Sequence, residues 1–200
     1  MTRIVVGLVG SMVCGKDFLA AFLETLGFVH LSLSDRVREE ADRRGLVRER
    51  STLQNIGNDL RAVFGAQVLG ERTVAMIPNE AGLIVISGIR NPGEIDFLKR
   101  ALNITIVGVD APAELRLKWY LERAKKRGED RATESDFRRA NARDMGEGES
   151  INGQQGATCI ALADFVVSND GTDKFLGESL EFLRTKFGLN LEGRTSSKEA

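Results

Sequence analysis

The chain has 200 residues, 42% of them hydrophobic, enough apolar side chain for one packed domain with a small insertion. A net charge of −1 offers no bulk attraction to nucleic acid or to an acidic membrane, so neither partner is expected. Two cysteines far apart, Cys14 and Cys159, give no disulfide framework or zinc pattern, and a single histidine, His30, argues against a histidine metal cluster or a Ser-His-Asp triad. Without a signal-like segment or a long apolar run, a soluble cytoplasmic chain is expected.

In chain order, residues 3–9 form a short β-branched run that predicts a buried parallel strand. Gly10-Ser11-Met12-Val13-Cys14-Gly15-Lys16-Asp17 follows and matches the phosphate-binding pattern G-x-x-x-x-G-K-[ST] except at its last position. In such a loop backbone N–H groups surround phosphate oxygens, the lysine reaches the β/γ-phosphates and the final hydroxyl ligates Mg²⁺. Asp17 puts a carboxylate where that hydroxyl belongs. Phe18, Leu19, Phe22, Leu23 and Leu26 recur at helical spacing up to Gly27, predicting a helix over 17–26. Lys16 then sits at a helix N-terminus, where the dipole disfavours a cation, so its charge calls for an anion. Gly10, Cys14, Gly15, Lys16 and Asp17 are the candidate nucleotide contacts. Cys14 reads as a small filler or as an oxidisable thiol.

Further strands are predicted at 28–33, 83–87, 104–109 and 165–167, and helices at 35–45, 53–64, 66–76, 92–101, 113–127 and 173–187. That alternation argues for an α/β fold with a parallel sheet. Two stretches depart from it. Residues 36–61 are rich in Arg and set two helices between the second and third strands, and 116–143 hold ten Lys/Arg against five Asp/Glu. They read as solvated helix surface or as basic flaps closing over phosphates from opposite sides. Residues 190–200 are polar and aperiodic, and a disordered tail is expected there.

Taken in order, four segments resemble successive signatures of the P-loop nucleoside monophosphate kinase and dephospho-CoA kinase superfamily. They are the loop at 10–17, Leu31-Ser32-Leu33-Ser34-Asp35-Arg36-Val37-Arg38-Glu39-Glu40, Ser87-Gly88-Ile89-Arg90, and Ala163-Asp164-Phe165-Val166-Val167-Ser168-Asn169-Asp170-Gly171-Thr172. The likeness covers most of residues 3–185 and is strongest to the superfamily's poorly characterised nucleotide-kinase-like branch. It implies a three-layer P-loop NTPase fold with a five-stranded parallel sheet in the order 2-3-1-4-5, an acceptor-binding insertion at about 36–76 and a lid at about 116–155. It also implies ATP and Mg²⁺ as cofactors and a phosphoryl transfer to a small-molecule acceptor, a nucleoside or deoxynucleoside monophosphate or dephospho-CoA. A regulatory module that binds nucleotide with little turnover is the alternative. A nucleic-acid-binding NTPase is disfavoured, and the chain is expected as monomer or homodimer.

Carried over by position, the resemblance gives Asp35 the place of a carboxylate that orients or deprotonates the acceptor, and an N-cap role for a helix starting at Arg36 suits it equally. Arg38 and Arg90 match acceptor-phosphate arginines, with Arg61 as a third candidate. Surface ion pairs with carboxylates such as Asp59 or Glu94 are the plain alternative. Arg123 and Arg127, four residues apart on one helix face, match lid arginines that reach the transferred phosphoryl group. Trp119, about where another lid arginine is common, reads better as a core aromatic than as a base platform. The turn Asn169–Thr172 falls beside the nucleotide base, although Asp before Gly is an ordinary turn.

In relatives an Asp ending the strand beside the loop helps to hold Mg²⁺. Here Ser87 ends that strand, so hydroxyl and carboxylate look exchanged between Asp17 and Ser87, the two candidate metal ligands. Asp17 also suits the helix dipole with no metal, or marks a decayed site. Asp110 is a rival carboxylate, which the family strand order sets farther from the loop.

Overall fold

Parallel strands covered by helices on both faces need apolar residues on both, and the strands of this chain have them. The computed structural model describes residues 3–125 and 133–189. β1 (Ile4–Val9) lies at the centre of a five-stranded, all-parallel sheet, with β2 (Val29–Ser32), β3 (Leu83–Ser87), β4 (Thr105–Asp110) and β5 (Phe165–Ser168) in the order β2-β3-β1-β4-β5. This is the predicted fold and order. The helices are α1 (Lys16–Thr25), α2 (Leu33–Arg43), α3 (Arg50–Phe64), α4 (Val68–Val74), α5 (Pro92–Leu102), α6 (Ala113–Ala124), α7 (Glu134–Met145), α8 (Gly156–Ala161) and α9 (Lys174–Phe187).

Side chains alternate between the two layers with the strand period of two. Val5 and Val9 of β1, Ile84 and Ile86 of β3 and Ile106 of β4 pack with Leu33, Ile56, Leu60, Leu69 and Leu98. Val6 and Leu8, Val85, Val107 and Val109 pack on the other side with Leu19, Leu23, Phe175 and Leu183. A third cluster, Met12, Tyr120 and Phe137, joins the loop after β1 to α6 and α7. Gly7 is needed where it stands, because a Cβ there would lie 2.7 Å from Ile106 Cδ1. Among the described residues no helix is long and apolar enough to cross a membrane.

Local chemistry explains the departures from expectation. α2 begins at Leu33 because Ser32 caps it, its hydroxyl accepting from the Ser34 N–H at 3.3 Å. Asp35 is therefore in the first helical turn, not at the N-cap. α7 and α8 were not predicted. In α7 the only buried residues are Phe137 and Asp144, so it carries almost no apolar stripe. Its sequence signal is the cap, Thr133 accepting from the Asp136 N–H at 3.2 Å. α8 is six residues long, too short for periodicity to show. The expected end of α6 at Arg127 and the expected tail at 190–200 lie outside the described residues.

Candidate active site

The loop after β1 is shaped by positions that exclude side chains. Gly10 has φ 148°, and a Cβ there would lie 2.0 Å from the Val109 carbonyl oxygen. Gly15 has φ 100°, and its Cβ would lie 2.3 Å from Asn169 Nδ2. Asn169 is a strut. Its Nδ2 donates to the Cys14 carbonyl at 3.0 Å while its Oδ1 accepts from the Gly171 N–H at 3.0 Å, tying the loop to the turn after β5. On the β4 side Ser11 Oγ donates to Asp110 Oδ1 at 3.0 Å. The expected distance between Asp110 and the loop is thus corrected: β4 is a direct neighbour of β1, so its last residue ends beside the loop and anchors it.

Lys16 is buried, and its Nζ donates to the Ser11 carbonyl at 2.8 Å and lies 3.7 Å from Cys14 Sγ. Burial lowers its pKa and Arg90 adds to that, while Cys14 and Asp17 oppose it. A cation held by one carbonyl and a thiol at a helix N-terminus is poised for a polyanion.

A cavity of about 1030 Å³ opens on this loop. Its walls bring together Cys14, Gly15, Lys16 and Asp17 with Ser87 at the end of β3, Arg90 after it, Asp35 and Arg38 of α2, Arg61 of α3 and Arg123 of α6. Gly10 shapes the loop without lining the cavity, and Arg127 lies outside the described residues. Arg50, His30 and Gln154 also line it and were missed as site residues. Arg50 opens α3 without a periodic pattern to mark it, and Gln154 follows a helix that was not predicted. Trp119 is half-buried and lines the cavity: a Cβ on Gly171 would sit 3.6 Å from Trp119 Cζ2, and the indole also packs against the core. The core aromatic of this helix is its neighbour Tyr120.

Arg61, Arg90 and Arg38 are each bound to a carboxylate. Arg61, 2% exposed, donates through Nε to Glu94 Oε1 at 2.8 Å, and Glu94 is wholly buried. This is the predicted Glu94 partner, but in the interior rather than at the surface, where Asp59 instead meets Arg44 at 3.3 Å. Glu94 Oε2 accepts from the N–H groups of Arg90 and Asn91 at 2.7 and 3.0 Å, closing a capping box on α5. The Arg90 guanidinium forms an ion pair with buried Asp144 of α7. Burial and the nearby Arg50 lower the Arg90 pKa to about 10, which leaves it a cation at neutral pH. Arg38 meets Asp35 at 3.1 Å on the exposed side of α2. The turn after α7 is fastened to the same region: Asn91 Nδ2 donates to the Ile151 and Gly153 carbonyls at 2.9 Å, and the Gln155 N–H donates to the Arg90 carbonyl at 2.7 Å.

Asp17 and Ser87 both face the cavity, and Ser87 Oγ lies 2.8 Å from His30 Nε2. His30 Nδ1 in turn lies 3.7 Å from Glu24 Oε2. One histidine is thus enough for a Ser-His-acid chain, which corrects the expectation drawn from its count. Among the described residues there is no group of three or more His, Cys, Asp or Glu able to cage a metal. A carboxylate and a hydroxyl beside a phosphate loop do suit Mg²⁺, which takes hard oxygens and keeps several waters.

Loop, sheet order and cavity define a P-loop protein. A family model described as an AAA domain matches residues 7–138. The solved structure of TT1252 from Thermus thermophilus is similar over 94% of this chain and 99% of its own, with a TM-score of 0.58 at 20% identity. Shikimate kinase from Aquifex aeolicus is similar over 93% and 100%, with a TM-score of 0.54 at 18% identity. At such identities the likeness speaks to fold alone. The chain belongs to the AAA-domain family and to the UPF0200 family. The UPF0200 protein of Thermococcus gammatolerans is 32% identical, aligned over 96% of this chain and 100% of its own. That of Thermoplasma volcanium is 33% identical over 84% and 87%. A UPF0200/UPF0201 protein of Archaeoglobus fulgidus is 28% identical and longer, this chain spanning 57% of its length.

Proposed function

We propose that the protein is a cytoplasmic small-molecule kinase that moves the γ-phosphoryl group of ATP to an anionic, nucleotide-like acceptor, a nucleoside or deoxynucleoside monophosphate or dephospho-CoA. The observation that carries this reading is one cavity lined both by Lys16 with its loop and by Arg38, Arg61 and Arg90. A phosphate loop and a separate set of arginines on a single cavity suit two anionic substrates bound together. In the transfer an acceptor oxygen attacks the γ-phosphorus, the bond to the β–γ bridging oxygen breaks, and ADP leaves. The loop amides and Lys16 hold the β/γ-phosphates, Arg90 and Arg38 hold the acceptor anion, and Arg123 and Arg127 are assigned to the transferred group. Asp35 takes the proton if the acceptor is a hydroxyl and only orients it if the acceptor is a phosphate. Mg²⁺, when bound at Asp17 and Ser87, would neutralise charge on the β- and γ-oxygens.

The pairing of Arg61 with Glu94 and Arg90 with Asp144 favours a second reading, a nucleotide-sensing module with little turnover, because anchored arginines cost more to redirect. A coupled ADP-release screen with Mg-ATP against nucleoside monophosphates, deoxynucleoside monophosphates and dephospho-CoA separates the two. Acceptor-dependent ADP release is expected. Tight ATP binding with no acceptor-dependent release would replace the kinase by the sensor.

A further inference from the structure

The third strand carries a serine where a carboxylate would be the stronger cation ligand, and the chain's single histidine is attached to that serine. In the sheet His30 of β2 is the direct partner of Val85, so Ser87, two residues on, is its diagonal neighbour on the same face. α1 covers this face and brings Glu24 to within 3.7 Å of His30 Nδ1. The other ring nitrogen, Nε2, is 2.8 Å from Ser87 Oγ. Three elements therefore meet in one line, from Glu24 through the imidazole to a hydroxyl 3% exposed at the cavity wall, near Lys16 and Asp17.

The direction of the hydrogen bond follows from the partners. A carboxylate beside Nδ1 favours the tautomer with its proton on that nitrogen, which leaves Nε2 a bare acceptor. Ser87 is then the donor in the 2.8 Å contact. A hydroxyl has one proton, and in this arrangement it is given to His30. Lone pairs remain for the phosphates' cation or its bound waters. A serine held this way acts as an acceptor-only oxygen, the property for which a carboxylate would otherwise be used.

We propose that His30 is a positioning residue for the metal, acting through Ser87: with Glu24 setting its tautomer, it holds the Ser87 hydroxyl so that lone pairs remain for the cation beside Asp17. The inference rests on the proposed nucleotide and Mg²⁺ binding. It explains how a neutral side chain can serve on the strand beside the loop, and gives His30 and Glu24 a task that the packing of β2 does not require.

The experiment reads binding, without turnover. Trp119 is the only tryptophan and lines the cavity, so its fluorescence reports a non-hydrolysable ATP analogue directly. The analogue is titrated in EDTA, and Mg²⁺ is then titrated at fixed analogue. For His30→Phe the Mg²⁺ midpoint is expected to rise by about 10- to 100-fold, the usual cost of losing an outer partner of a metal ligand, with metal-free affinity unchanged, and Ser87→Ala, which removes the ligand itself, should raise it at least as far. His30→Gln, whose amide oxygen can still accept from Ser87, should recover most of the loss, which a purely structural role would not predict. Glu24 is exposed, so Glu24→Ala, which removes the acceptor at Nδ1, keeps the fold if His30→Phe does not, and its midpoint should also rise. An unchanged midpoint in His30→Phe, or in Glu24→Ala where His30→Phe does not fold, overturns the proposal. So does a His30→Gln midpoint no better than that of His30→Phe. Analogue binding that ignores Mg²⁺ in the native protein also overturns it while leaving nucleotide recognition intact. No analogue binding at all would defeat the functional reading itself.

Discussion

The loop and the arginines that share the cavity handle charge in opposite ways. At the loop, the groups proposed to bind are mainly backbone N–H donors and one buried lysine, with Gly10 and Gly15 held at positive φ and Asn169 bracing the loop from behind. In the arginine cluster, the groups proposed to bind are long guanidinium side chains, two of them paired with buried Glu94 and Asp144. A backbone cradle is ready for phosphate once the chain has folded, and its geometry costs nothing further at binding. Paired arginines hold their places only while their carboxylates do, so in that cluster the site and the stability of the domain are the same interactions.

That contrast can be broken from either side. The largest effect is expected in the arginine cluster: Glu94→Ala leaves the Arg61 guanidinium buried without its carboxylate and should cost about 3–5 kcal/mol in urea unfolding. The double variant Arg61→Met/Glu94→Met should recover much of that, since no charge is left unpaired. At the loop Lys16→Ala should leave the melting temperature near that of the native protein or raise it, because a buried cation is removed. Acceptor-dependent ADP release should nevertheless fall by about 10²–10³-fold.

Asn169→Ala tests the bracing. Losing the donor to the Cys14 carbonyl should cost about 1–3 kcal/mol of stability and weaken analogue binding measured by Trp119 fluorescence. Arg38→Ala sharpens the contrast at the exposed rim: its pair with Asp35 should contribute at most about 1 kcal/mol to stability, so unfolding barely changes while the KM for the acceptor rises.

A pH dependence tests a pair away from the cavity. Arg43 and Arg44 hold the Glu40 carboxyl down at about 2 against an ordinary 4.5. A depressed folded pKa stabilises above the unfolded value, so this contribution is complete at neutral pH and disappears as pH falls from about 4.5 toward 2. The stability difference between the native protein and Glu40→Gln should shrink across that window and stay flat above it.

Much of the loop was legible in the sequence because its chemistry is local. A β-branched run, two glycines, a lysine and an amphipathic helix lie within one short segment, and each acts on its near neighbours. The anchors Asp110 and Asn169 were less legible, since both come from strands that only the sheet brings beside the loop. In the cluster opposite in chemistry to the loop, Arg38, Arg61 and Arg90 could be named by type and place, but their partners could not all be found. Asp144 sits on a helix with almost no apolar stripe, and Arg50 is one of many arginines with nothing periodic to distinguish it.

The sequence by itself determined the phosphate loop, the alternation of strand and helix and, through the resemblance, the order of the sheet. These depend on local backbone preference and on side chains repeating at periods of two and near four. Only the tertiary structure decided which carboxylate holds which arginine, that the turn after α7 closes on Asn91, and that His30 lies against Ser87. Those contacts join residues far apart in the chain, and what selects them is burial: a polar group taken out of water keeps the partner that the packed interior puts within reach.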